Sequence, residues 1–122
     1  MARILVVDDE ELVRFALCTI LEDNGHEVEE AANGNECLEV LKKAPAFDIA
    51  IVDIFMPEKE GTETILELRR DYPDLKLIAI SGGGQTGDLS YLKVAKTFGA
   101  DMILPKPLTE SDVVIAVNSL LT

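Results

Sequence analysis

Asp8, Asp9, Asp53, Ser81 and Lys106 are the residues whose types and positions could carry chemistry in this chain. Each one ends or follows an apolar run: Asp8 and Asp9 close the first, Asp53 the third, Ser81 the fourth, and Lys106 comes just after the fifth. If those runs are parallel strands, their carboxyl ends share one rim of a sheet, where ligands bind in the crevice. Three carboxylates so close together repel one another, and a hard divalent cation relieves that repulsion. An all-oxygen set suits Mg²⁺ or Mn²⁺ rather than zinc. Lys106 adds a fixed positive charge and Ser81 a hydroxyl. Metal, ammonium and hydroxyl together complement the oxygens of a phosphoryl group in transfer. Asp53 is then the natural nucleophile, because a carboxylate can form an acyl phosphate. Blander readings compete: Asp8 and Asp9 as caps of a helix whose dipole Glu10 and Glu11 favour, and Ser81 as a turn residue. The convergence of all five on one rim favours the pocket.

The elements that must hold this rim are legible as alternating patterns. Ile4–Val7, Ile49–Val52 and Leu75–Ile80 are near-continuous apolar runs, as expected of parallel strands covered on both faces. Glu27–Ala31 is far more polar, and Met102–Leu104 is short and closes with Pro105, so both belong at sheet edges. Between them lie helical patterns. Val13, Leu17, Ile20 and Leu21 form a stripe that stops at Gly25. Gly34 opens a second helix with Cys37, Leu38 and Leu41 inward, ending before Pro45. A third runs from about Glu60 to Tyr72, a fourth from about Asp88 to Phe98, and a fifth starts at the capping-box-like Thr109-Glu110-Ser111-Asp112. Strict alternation of strand and helix predicts an α/β domain, a single doubly wound (βα)5 unit with parallel strand order 2-1-3-4-5, the flavodoxin-like arrangement.

Length and charge exclude several classes. A chain of 122 residues fits one domain, expected over 1–122 with no output domain. Its apolar runs are too short to span a membrane, and Met1-Ala2-Arg3 leads straight into a strand without a secretion signal, so a cytoplasmic location is expected. The net charge of −12 would repel phosphate backbones, which argues against direct nucleic-acid binding. Cys18 and Cys37 have no metal-binding spacing and read as reduced, buried or half-buried residues. His26 is the single histidine and reads as a surface loop residue, leaving no His-based site.

Val6-Val7-Asp8-Asp9-Glu10, Asp53-Ile54-Phe55-Met56-Pro57 with Gly61, Ser81-Gly82 and Lys106-Pro107 together resemble the receiver domain of two-component response regulators, in order and over essentially the whole chain. The resemblance implies that Asp53 accepts a phosphoryl group from a histidine kinase or a histidine phosphotransfer protein. It implies that Asp9 and Asp53 bind Mg²⁺ directly with the backbone carbonyl of Phe55, while Asp8 acts largely through water. Lys106 would pair with the phosphoryl oxygens, aimed by a cis peptide bond to Pro107. Ser81 would swing toward the phosphate and draw the following loop with it, controlling the binding of a downstream protein. Such a protein is a phospho-acceptor rather than a turnover enzyme, and a monomer or weak dimer is expected. A phosphorelay intermediate, or a receiver excised from a longer regulator, fits the same residues.

Three positions depart from the family pattern. Ile103 stands where members commonly carry an aromatic that turns on activation, so packing or loop order is expected to transmit the switch instead. Ser81–Gly87 holds four glycines, which predicts a mobile loop over 82–90 that orders when phosphate binds. Phe55 offers nothing to orient an attacking water, which predicts slow self-dephosphorylation. Other functions fit less well. An aspartyl-phosphate phosphatase needs a second acid two residues after its nucleophile, where Phe55 stands. A flavin site needs a hydroxyl- or glycine-rich loop after the first strand, where Asp8–Glu11 is acidic.

Overall fold

The structure is a computed structural model that describes residues 2–44, 46–54, 61–81, 96–97 and 99–121. Its five strands are β1 (Arg3–Val7), β2 (Glu27–Ala31), β3 (Ile49–Asp53), β4 (Lys76–Ser81) and β5 (Met102–Pro105). They form one parallel sheet in the order β2-β1-β3-β4-β5, as the alternation predicted. Its described helices are α1 (Glu11–Asp23), α2 (Gly34–Lys43), α3 (Gly61–Asp71) and α4 (Glu110–Leu121). The predicted helix over 88–98 falls almost wholly outside the described residues, with 96–97 helical. The glycine-rich loop and Phe55 also lie outside them.

The continuous apolar runs exist because the sheet is covered twice. Leu5 and Val7 of β1, Ala50 and Val52 of β3, and Leu77 and Ala79 of β4 face α2 and α3, where they pack with Cys37, Leu41, Ile65 and Leu68. The alternate residues Ile4, Val6, Ile49, Ile51, Ile78 and Ile80 face α1 and α4, against Leu17, Leu21, Val113, Ala116 and Val117. After Arg3 and Lys76 open β1 and β4, a two-residue side-chain period feeding two helical layers leaves no polar position in β1, β3 and β4 until their carboxyl ends. Edge strand β2 instead exposes Glu27, Glu29 and Glu30, charges that discourage pairing with another chain.

Helix ends follow local chemistry. Gly25 has φ +87°, and the N–H groups of Gly25 and His26 donate to the carbonyls of Glu22 and Leu21, which closes α1 in a Schellman turn. Asn33, unremarked in the sequence, caps α2: its side chain accepts from Glu36 N–H, and Glu36 reaches back to Ala32 N–H. Thr109 Oγ1 accepts from Asp112 N–H at 3.0 Å, the forward half of the anticipated capping box. At β4 the strand begins at Lys76 rather than Leu75, because the Leu75 carbonyl turns to the Arg69 guanidinium at 3.0 Å.

Both cysteines are free, Cys37 buried and Cys18 half-buried. Burial, then the carboxylates of Glu30 and Glu22, push the Cys18 thiol up to about 11, so it stays protonated and unreactive. His26 is partly buried rather than a free surface residue: its Nδ1 accepts the Ala2 N–H at 3.1 Å. Burial lowers its pKa, consistent with a neutral ring in that accepting role.

Candidate functional site

The carboxyl end of the sheet gathers the polar residues that the strands exclude. Asp8 follows β1 and is fully buried; Asp53 is the last residue of β3 and Ser81 the last of β4, both also buried. Lys106 follows β5, and its backbone N–H donates to the Ser81 carbonyl at 2.6 Å, which fixes where the lysine leaves the sheet. The Lys106-Pro107 peptide bond is cis, as the family pattern implied.

The Lys106 ammonium lies among three carboxylates, 3.1 Å from Asp8 Oδ2, 3.2 Å from Glu10 Oε1 and 3.3 Å from Asp53 Oδ2. Burial alone would lower its pKa. The charge of Asp53, followed by the contacts and charge of Asp8 and Glu10, outweighs that and raises it, so Lys106 is a permanent cation. The Asp8 pKa is raised as well, but here burial wins, against the pull of the Glu10 N–H and the Lys106 ammonium.

Asp8, Asp9, Glu10 and Asp53 can each place a carboxylate oxygen within 4.8 Å of the others. Four carboxylates against one ammonium leave the pocket strongly negative. Asp8 Oδ2 is buried and has no well-angled hydrogen bond among the described residues, only its ion pair with Lys106. A buried, under-satisfied carboxylate oxygen in an all-oxygen set fits a hard divalent cation such as Mg²⁺.

The capping alternative for Asp8 and Asp9 does not hold. Glu10 is the N-cap of α1 and caps with no side-chain hydrogen bond, while Asp8 Oδ1 accepts the Glu10 N–H at 2.8 Å, a bond that orients Asp8 toward the pocket. Asp9 is exposed at the pocket mouth. Ile103 is half-buried against the α2–α3 core. Two residues that sequence reasoning missed also belong here. Glu10 looked like a dipole-favouring residue but meets Lys106, and Arg14 carries no motif signal yet donates to the Asp8 carbonyl at 2.7 Å. The acid run itself was the available clue for Glu10; for Arg14 there was none.

The raised pKa of Asp8 has a consequence for stability. A carboxyl whose folded-state pKa is raised supports the fold most below its ordinary value of 3.8, and that support is lost as pH rises through the folded value. At neutral pH, ionised Asp8 therefore destabilises the metal-free protein. Asp8→Asn is expected to raise stability and Tm at pH 7 in chelator. Thermal melts should show the gain shrinking toward zero as pH is lowered to 3.8. A variant less stable than wild type at pH 7 would contradict this.

Comparison with known proteins agrees with the geometry. The family model described as "Response regulator receiver domain" matches residues 4–118. The chain belongs to this family. Receiver domains are the phospho-accepting signalling modules of two-component regulators, switches rather than classical enzymes, and they bind Mg²⁺ at an acidic pocket. The sensor kinase CckA of Brucella abortus is 35% identical over 121 residues, 98% of this chain but 12% of its own length. The response regulator SaeR of Staphylococcus aureus is 33% identical over the whole chain and 51% of its own length. This receiver thus spans about half or less of those curated relatives. Among solved structures, the response regulator TrrA of Thermotoga maritima, in complex with Mg²⁺-BeF, superposes with a TM-score of 0.83 at 32% identity, covering 98% of this chain and 99% of that one. Among the described residues, no helix of this receiver is long and apolar enough to cross a membrane.

Proposed function

We propose that Asp53 of this receiver accepts a phosphoryl group from a phosphohistidine, carried by a histidine kinase or a histidine phosphotransfer protein, and that the change at Asp53 controls binding of a downstream protein. The observation that carries this reading is the placement of one ammonium within 3.3 Å of both Asp8 and Asp53, at the rim where Ser81 also ends its strand. Asp9 and Asp53 would hold Mg²⁺ directly and Asp8 through water, with the Phe55 carbonyl as a further ligand. Bound there, Mg²⁺ would supply charge neutralisation to the phosphoryl oxygens.

An Asp53 Oδ attacks phosphorus and forms the acyl phosphate, the P–N bond to the donor imidazole breaks, and its electron pair stays on that nitrogen, which takes a proton. Lys106 trades a carboxylate oxygen of Asp53 for a phosphoryl oxygen, and the Ser81 hydroxyl donates to another. Ser81 movement, with repacking of Ile103 against the α2–α3 core, would carry the signal to the loop over 82–90, β5 and α4. The whole chain is read as one receiver unit. Relatives much longer than this chain support the second reading, a receiver that works as one module of a larger regulator.

The decisive test is radiolabelled phosphotransfer from a panel of purified histidine kinases, with Mg²⁺, to wild type and Asp53→Asn. Label on the wild type and none above background on the variant is expected. Equal labelling of both would place the acceptor elsewhere.

A further inference from the structure

Asp8 is held at four points, and one of them comes from a charged side chain outside the acid, hydroxyl and lysine set. Its N–H donates to the Ala31 carbonyl at 3.1 Å, its Oδ1 accepts the Glu10 N–H at 2.8 Å, and its Oδ2 faces Lys106 at 3.1 Å. The fourth is its carbonyl, which accepts from Arg14 Nη1 at 2.7 Å. Arg14 in turn is anchored by Nε on Glu30 Oε1 of β2, at 3.1 Å. Its own N–H donates to the Glu10 carbonyl in the first turn of α1, so the guanidinium spans the strand-to-helix turn that carries all three pocket acids of this segment. The Arg14 side chain is 17% exposed, which shields this charge-assisted bond from water.

We infer that Arg14 is a positioning residue for the metal pocket: it clamps the Asp8 carbonyl toward α1 and β2, so that the Asp8 and Asp9 carboxylates stay turned to Asp53. Two features make the clamp more than a surface bond. Its acceptor is the peptide of a fully buried residue, so rotation of that peptide would swing the Asp8 side chain off Lys106. Its anchor Glu30 pairs in register with Val6 of β1, so guanidinium and acceptor are fixed to adjacent strands. Arg suits this role because one planar fork reaches carbonyl and carboxylate at once; a lysine point charge can satisfy one of them. The consequence for metal binding rests on the Mg²⁺ reading above, whereas the clamp itself is read from contacts between protein atoms alone.

The experiment separates the two. In metal-free buffer, Arg14→Met is expected to speed amide exchange at Asp8 and Glu10 by about tenfold or more, with amides of β3 and β4 unchanged. Titration with Mg²⁺ well below Tm is expected to show affinity about tenfold weaker in Arg14→Met, the loss typical of removing a group that orients a ligand. Arg14→Lys should recover part of both effects. Arg69→Met, a destabilising change at the opposite end of the sheet, should lower Tm with the Mg²⁺ affinity unmoved. Unchanged exchange at Asp8 and Glu10, or Mg²⁺ affinity within twofold of wild type alongside a lower Tm, would overturn the inference. If the wild type itself bound no Mg²⁺, the metal reading would fail, and local exchange in Arg14→Met would still decide the clamp.

Discussion

Replacing Lys106 with methionine is expected to move three measurements in different directions. Methionine keeps the apolar stem packed but removes the charge that faces Asp8, Asp53 and Glu10. Two of those carboxylates are buried, and stripping a buried charge of its partner commonly costs about 3–5 kcal/mol. Protonation of Asp8, already pushed that way by burial, softens the penalty, so a loss of about 2–4 kcal/mol in metal-free buffer is expected. Mg²⁺ affinity should rise, because the competing ammonium has left an acidic pocket. Added Mg²⁺ should then restore much of the lost stability, by an amount set by its concentration relative to Kd. Phosphoryl transfer should fall by about 10²–10³, comparable to the loss of one preorganised donor to a developing charge. Thermal melts with and without Mg²⁺, beside initial rates of labelling, check all three. Weaker Mg²⁺ binding in the variant would show that Lys106 supports the acid pocket rather than competing for it.

The second large effect lies far from the pocket. All five N–H donors of Arg69 on α3 are used: Nε and Nη2 on the Gly99 carbonyl at 3.1 and 2.7 Å, Nη1 on the carbonyls of Pro73 and Leu75, and Nη2 on Asp101 Oδ2. Asp101 Oδ2 also accepts the Leu77 N–H at 2.8 Å, so one guanidinium ties the entry of β4 to the entry of β5. Gly99 permits the close approach. Its φ is +126°, and a Cβ there would lie 2.8 Å from Arg69 Cγ. Arg69→Met leaves three carbonyls and a carboxylate without their donor, and a loss of about 2–4 kcal/mol is expected, roughly 10 °C in Tm. Arg69→Lys should recover less than half, since an ammonium cannot reach acceptors spread across a fork. Denaturant melts measure both, and a loss below about 1 kcal/mol for Arg69→Met would show that water replaces the guanidinium at these carbonyls.

The receiver's sheet was legible because burial on two faces demands apolar residues through the interior of each central strand, so β1, β3 and β4 stand out as continuous apolar runs. The same demand made Asp8, Asp53 and Ser81 conspicuous, since a polar residue at the end of such a run has few structural reasons to be there. Asn33 was missed because a cap at α2 is a one-residue signal beside the more visible Gly34. His26 was placed on the surface because nothing local announces that its ring would meet the Ala2 N–H, 24 residues away in sequence.

What the sequence determined by itself was the five strands, the four described helices, the parallel order and the cluster of acids, hydroxyl and lysine on one rim, because periodicity and strand-end chemistry are local properties. What the tertiary structure alone decided was the wiring between them: Lys106 shared among three acids, Glu10 inside the pocket, Arg14 on the Asp8 carbonyl, and Arg69 spanning two strand entries. Those contacts join residues 6 to 98 positions apart, and their partners are backbone carbonyls and flexible charged side chains. A carbonyl has no residue type, and a long charged side chain suits many surfaces equally, so neither leaves a pattern in the sequence until the fold brings the two together.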